Sequence, residues 1–349
     1  MSNIAKSFLY EFVKRMPKIE LHVHLEGAIR PAMLFELAAR NNMSLSAKTE
    51  QDLKEVFKFK NFQHFVEIYN LVTGCLKTAD DYELISYQFG CECVRQNIHY
   101  AEVTFSIFTN CRLTGLPWQK ILEALNRGRA KAMQEFDVNW VWIFDILRDE
   151  PESQKLILEA ILKSKDQGVV GLGLTGSEIL FNTENFVKTF ETARKNKIGI
   201  TIHAGEISGP KSIWSVIKRL HADRIGHGVT CIQDSELIKF LKQNKIPLEI
   251  CPTSNICMGV FPDFKSHPLR KLWDAGLFLT VNSDDPALFG TDLNNEYKIL
   301  VDHFGFGIND LERISLNGLQ ASFLPADQKQ KLDKSFRVEF ADLRKELGI

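Results

Sequence analysis

The chain has 349 residues, 44% hydrophobic and 25% charged, with a formal net charge of −1. That is the composition of a soluble globular protein, and the near-neutral balance offers no basic surface for nucleic acid or anionic membrane. The sequence has no apolar run of about 18 residues to suggest a membrane span. Its start (MSNIAKSFLYEFVKRMPK) lacks signal-peptide features, and its seven scattered cysteines, with no CxxC pair, read as reduced thiols of a cytoplasmic protein.

Eight short apolar β-type runs recur along the chain: IELHVHL (19–25), YAEVTFS (100–106), NWVWIFDI (139–146), VVGLGLTG (169–176), IGITIHAG (198–205), RIGHG (224–228), PLEICPTS (247–254) and LFLTVNSDD (277–285). Amphipathic stretches such as SQKLILEAILKSK, TENFVKTFETARKN and DSELIKFLKQN lie between them. Strands alternating with helices predict a parallel sheet, and eight is the number that closes a (β/α)8 TIM barrel. The expectation is one α/β barrel domain over 1–349. Extra helices belong between the first and second strands, and the tail after Asp310 reads as closing helices. Within the first insertion, the Phe-rich VFKFKNFQHFVEIYNLV (56–72) is either a core-packing helix or an apolar lid over a pocket.

A barrel places chemistry at the C-terminal ends of its strands. The first strand ends in His22 and His24, whose i, i+2 spacing points both imidazoles the same way. The fourth ends in TGSE, with Gly176 and Glu178. The fifth ends in HAGE, with His203 and Glu206. The sixth carries His227, and the eighth ends in Asp284 and Asp285. Each alone is a weak signal. Together they collect four of nine histidines and an Asp pair at one end. Burying so many titratable groups is costly unless they are paired or metal-bound. Imidazoles with a carboxylate suit zinc, which keeps an open position for water. The fourth run has no Lys for a carbamylated bridge, which favours one metal per chain. Glu206 is the expected proton carrier, His227 is better used to hold the attacking water, and Asp285 points at the substrate.

As a set, PKIELHVHLEG, TIHAGE, RIGHG, CPTSN and NSDDP, in this order over residues 17–286, resemble the adenosine deaminase family of the amidohydrolase superfamily. The resemblance implies zinc ligands His22, His24, His203 and Asp284. It makes Glu206 the shuttle that protonates purine N1 and then the departing amine, and His227 the residue that orients the nucleophile. It also implies that Asp285 hydrogen-bonds N7, that the Gly176 backbone lies near N3, and that His24 and Glu26 belong to the substrate site. The implied reaction is hydrolytic loss of ammonia from C6 of an aminopurine, a small-molecule substrate.

Two positions depart from adenosine deaminases proper. Glu26 stands where they usually carry the Asp of HLDG, which contacts the ribose 5′-hydroxyl, and GSE, with Ser177, stands where they read GDE. The ranking expected is adenosine or 2′-deoxyadenosine first. Modified adenine nucleosides (aminodeoxyfutalosine, 5′-methylthioadenosine) come next and free adenine third, since adenine deaminases tend to read SSE and CPLSN where this chain has GSE and CPTSN. A different mononuclear metallohydrolase or a non-catalytic homologue is more distant.

Overall fold

The computed structural model describes residues 3–179 and 182–348. Eight strands form one parallel sheet in sequence order: β1 (Lys18–His24), β2 (Ile98–Phe105), β3 (Asn139–Leu147), β4 (Val169–Thr175), β5 (Gly199–Ala204), β6 (Arg224–His227), β7 (Leu248–Ile250) and β8 (Leu279–Val281). Strands buried on both faces are near-continuous in Val, Ile and Leu rather than alternating. β4, with Val169, Val170, Leu172 and Leu174, is of this kind, and β3 adds Trp140, Trp142 and Phe144, all fully buried.

The ring closes between β8 and β1. Val23 pairs in parallel with Asp284. The His24 N–H donates to the Asp284 carbonyl at 2.8 Å, and the Asp284 N–H donates to the His22 carbonyl at 3.1 Å. The Asn282 side-chain oxygen accepts the Leu21 and His22 amides at 2.9 and 3.2 Å. The architecture is thus a (β/α)8 TIM barrel.

The strand ends differ from the sequence expectation for local reasons. The run 247–254 yields only Leu248–Ile250, because Pro252 opens a helix, Pro252–Cys257. Proline suits that first helical position, where no amide hydrogen bond is missed. The run 277–285 yields Leu279–Val281, since Asn282 turns its side chain to β1 and Asp284 takes a left-handed φ of 63°. The amphipathic stretches form the helices Gln154–Lys163, Val187–Lys195 and Ser235–Asn244. The last is capped by Asp234, which accepts the Glu236 and Leu237 amides.

Between β1 and β2 lie the helices Pro31–Arg40, Glu50–Val56, Phe62–Thr73 and Ala79–Arg95, and the chain ends in Ile308–Ala321 and Ala326–Leu347. Among the described residues no helix is long and apolar enough to cross a membrane.

Candidate active site

The C-terminal ends of β1, β5 and β8 bring His22, His24, His203 and Asp284 together. One donor atom from each lies within 4.8 Å of all the others. Asp284 Oδ1 is 3.2 Å from His22 Nε2 and 3.3 Å from His24 Nε2. His22 Nε2 is buried and makes no hydrogen bond. An orphaned nitrogen facing a buried carboxylate is the arrangement a cation resolves. Gly226 makes the room: a Cβ there would meet His22 Cε1 at 3.0 Å and His203 Nδ1 at 3.1 Å.

A second set of side chains orients the first. His22 Nδ1 is 3.1 Å from Glu249 Oε2, which fixes the proton on Nδ1 and leaves Nε2 for a metal. Glu249 also accepts the Thr201 hydroxyl and the Arg224 guanidinium. Arg224 in turn pairs with Glu102 at 2.7 Å, donates to the Ala321 carbonyl at 3.1 Å and stacks on Phe323. Sequence reasoning missed this layer. The interior strand positions of Glu102, Arg224 and Glu249 were its only available signal.

His227 faces the same centre. Its Nε2 is 3.8 Å from Glu206 Oε2 and 3.9 Å from Asp284 Oδ2. Its tautomer follows from a chain of donors. The Leu269 amide can only donate, and it donates to His267 Nδ1 at 3.1 Å. His267 Nε2 must then carry the hydrogen it gives to Asn255 Oδ1, 3.1 Å away. That orients the Asn255 amide so that its Nδ2 donates to His227 Nδ1 at 3.3 Å, and a neutral His227 carries its hydrogen on Nε2, facing the site. Burial holds His227 low, to about 3, so the neutral ring is the relevant one. Both His227 and Asp284 adopt left-handed φ values, 60° and 63°. Such strain in non-glycine residues collects at functional sites.

Glu206 follows β5. Its backbone is held by Glu178, whose carboxylate accepts the Glu206 and Ser208 amides at 3.2 and 2.9 Å. Burial pushes the Glu206 carboxyl up to about 8, with Asp284 and Glu178 adding to the shift. A carboxyl so displaced can exchange protons near neutral pH. Asp285 is 3% exposed with Oδ1 unpartnered. It fits only because residue 27 is glycine, since a Cβ there would fall 1.8 Å from Asp285 Oδ1.

His24, His203, Glu206, His227, Asp284 and Asp285 line one cavity, open to solvent at its mouth. Gly176 lines it at φ 81°, where a Cβ would press on Asp149 Oδ1 at 2.8 Å. The helix Phe62–Thr73 covers one side with Phe62, Phe65 and Tyr69, and Phe65 stacks on Phe289 at 5.6 Å. This helix of the Phe-rich segment thus packs on Phe289 and forms part of the cavity wall.

Glu26 and Ser177 are not among the lining residues. Glu26 is fully buried, and its Oε1 accepts the Ser106 amide at 3.1 Å and Asn110 Nδ2 at 2.7 Å. It sits on the 3₁₀ turn Glu26–Ala28, and its other oxygen, Oε2, is buried without a partner. Asp145 of β3 lines the cavity nearby, and sequence reasoning passed over it.

The adenosine deaminase family model matches residues 17–337. The chain belongs to this family. An aminodeoxyfutalosine deaminase of Streptomyces avermitilis is 36% identical over 329 residues, 93% of this chain and 91% of the relative. An adenine deaminase of Wolinella succinogenes is 32% identical over 322 residues, 92% and 97% of the two chains. Among solved structures, an adenine deaminase from Arthrobacter aurescens superposes with a TM-score of 0.88 at 26% identity, covering 95% of this chain and 99% of its own. An amidohydrolase from Burkholderia ambifaria with bound zinc gives 0.89 at 26%, covering 100% and 96%. The family is metal-dependent, and the donor set of His22, His24, His203 and Asp284 suits zinc. The chain is a hydrolytic deaminase of adenine-type substrates. The relatives' names favour the modified-nucleoside and free-adenine alternatives over the ranking that put adenosine first.

Proposed function

We propose that this deaminase removes the C6 amine of adenine nucleosides that carry a substituent in place of the 5′-hydroxyl, releasing ammonia and leaving the 6-oxopurine. The observation that carries the reading is the lining of the cavity. Besides Gly176 and Asp285, the cavity is lined by Phe62, Phe65, Met258, Phe289 and the ring of Tyr69, an apolar wall that suits a substituent less polar than a hydroxyl. The Streptomyces relative, named for aminodeoxyfutalosine, supports the same substrate class.

In this reading His22, His24, His203 and Asp284 hold zinc, which acidifies a water to supply the nucleophile. Glu206 donates to N1 of the purine and later to the departing amine. The Nε2 hydrogen of His227 orients the nucleophile, Asp285 engages N7, and the backbone at Gly176 meets N3.

Free adenine is the second reading, favoured by the relatives named adenine deaminase. Nucleotides, as in the Arabidopsis neighbour solved with IMP, are disfavoured. Among the described residues that line the cavity none is Lys or Arg, while Asp145, Asp149 and Glu150 are acidic.

Loss of absorbance at the adenine band, followed with adenine, adenosine, 2′-deoxyadenosine, 5′-deoxy-5′-methylthioadenosine, aminodeoxyfutalosine and adenosine 5′-monophosphate, tests the reading. The highest kcat/KM is expected for a 5′-substituted nucleoside. A clear preference for free adenine or for the monophosphate overturns it.

A further inference from the structure

Asp145 is 2% exposed, on β3, and lines the cavity. Its Oδ2 accepts the Thr175 hydroxyl at 2.6 Å and the Ser106 hydroxyl at 3.2 Å. Its Oδ1 has no partner at all, and neither has the hydroxyl of Tyr69, another lining residue. Glu26, tied to the Ser106 amide, also has an unpartnered oxygen, Oε2, but does not line the cavity. A buried carboxylate oxygen without a donor costs free energy, and native structures leave few of them. None of the steps proposed above uses Asp145 or Tyr69.

From this geometry we infer that Asp145 is the acceptor for a ribose hydroxyl of the substrate, with the Tyr69 hydroxyl beside it as a second polar contact. The inference rests on the nucleoside reading of the same site. Thr175, which holds Asp145, immediately precedes Gly176. In a purine, N3 and N9 both flank C4, so a base whose N3 meets Gly176 carries its N9 sugar past the neighbouring side chains, toward Thr175 and Asp145. A carboxylate accepting a ribose hydroxyl is a common device for recognising nucleosides. Ser106 and Thr175 fix its rotamer in advance, so little ordering is needed on binding.

The test compares adenosine with 2′-deoxyadenosine, 3′-deoxyadenosine and 2′,3′-dideoxyadenosine on the zinc-loaded enzyme and on Asp145→Ala. The wild type is expected to lose ~10- to 100-fold in kcat/KM when the engaged hydroxyl is removed, the scale of a hydrogen bond to a charged group. Asp145→Ala is expected to pay that loss on adenosine, mainly through KM, and then to treat adenosine and its dideoxy form alike. Equal turnover of all four nucleosides by the wild type overturns the inference, as does an Asp145→Ala enzyme that still discriminates. If Asp145→Ala misfolds, Asp145→Asn and the wild-type comparison carry the test. Turnover of adenine with no nucleoside accepted sinks the proposed function as well. Nucleosides accepted without regard to their hydroxyls sink this inference alone.

Discussion

Glu249 Oε2 lies 3.1 Å from His22 Nδ1, on the far side of the ring from Asp284. A carboxylate behind a ligating histidine fixes its tautomer and raises its basicity. Glu249→Gln is expected to weaken zinc binding by ~10–100-fold with the fold retained. Competition against a chromophoric chelator measures this, and an unchanged affinity would remove Glu249 from the centre.

Arg224 joins two buried carboxylates, Glu102 and Glu249. Removing one partner from a buried ionic group leaves uncompensated charge, at a cost of ~3–5 kcal/mol. Arg224→Met is expected to lose stability on that scale in denaturant titrations of the zinc-loaded protein. A loss under ~1 kcal/mol would mean that the carboxylates protonate or find other partners without cost.

His22→Ala takes away a donor from the group of four. It is expected to purify with little zinc, as read by atomic absorption, and to melt well below the wild type, since a ligand bound only by the native state stabilises it. Full occupancy in that variant contradicts the ligand assignment.

Glu206→Gln keeps the shape of the side chain and takes away its proton chemistry. Zinc content is expected to stay at one per chain while kcat falls ~10²–10⁴-fold. Near-normal turnover would assign proton transfer elsewhere.

Asn255 donates to His227 Nδ1, and Asn255→Asp replaces that donor with an acceptor. The His227 hydrogen is then drawn to Nδ1 and leaves Nε2 bare toward the site. The expected outcome is a fall in kcat of ~10-fold or more, the scale of one lost hydrogen bond, with KM and zinc content held. The nitrogen NMR shifts of the His227 ring should exchange their protonated and unprotonated signatures. Loss of stability without that exchange would mean that Asn255 only packs.

How much of this was legible in the sequence depends on the range of the interaction involved. The eight strands and the HxH pair were legible because period-two geometry and apolar runs are local properties. So were the strand-end positions of His203, Glu206, His227 and the Asp pair. The ends of β7 and β8 were not, because a proline-started helix and a side chain reaching to β1 end them. Glu249, Arg224 and Asn255 escaped because their roles exist only once distant strands are neighbours: nothing in LEI announces a partner for His22. Glu26 stood out by its place in the chain, but its hydrogen bond to Asn110, 84 residues away, did not.

The seam between β1 and β8 also bears on when the enzyme comes alive. Leu21 and Asn282, which fasten it, are 261 residues apart. Asp284 arrives with the last strand, and the glutamate behind His22 arrives only with β7. A ribosome that has released His22 and His24 has made half of the metal's donors, with no wall opposite to hold them in place. High-affinity metal capture therefore belongs to the finished barrel. Truncated or half-synthesised chains should hold zinc weakly and deaminate nothing, a safeguard that follows from topology alone.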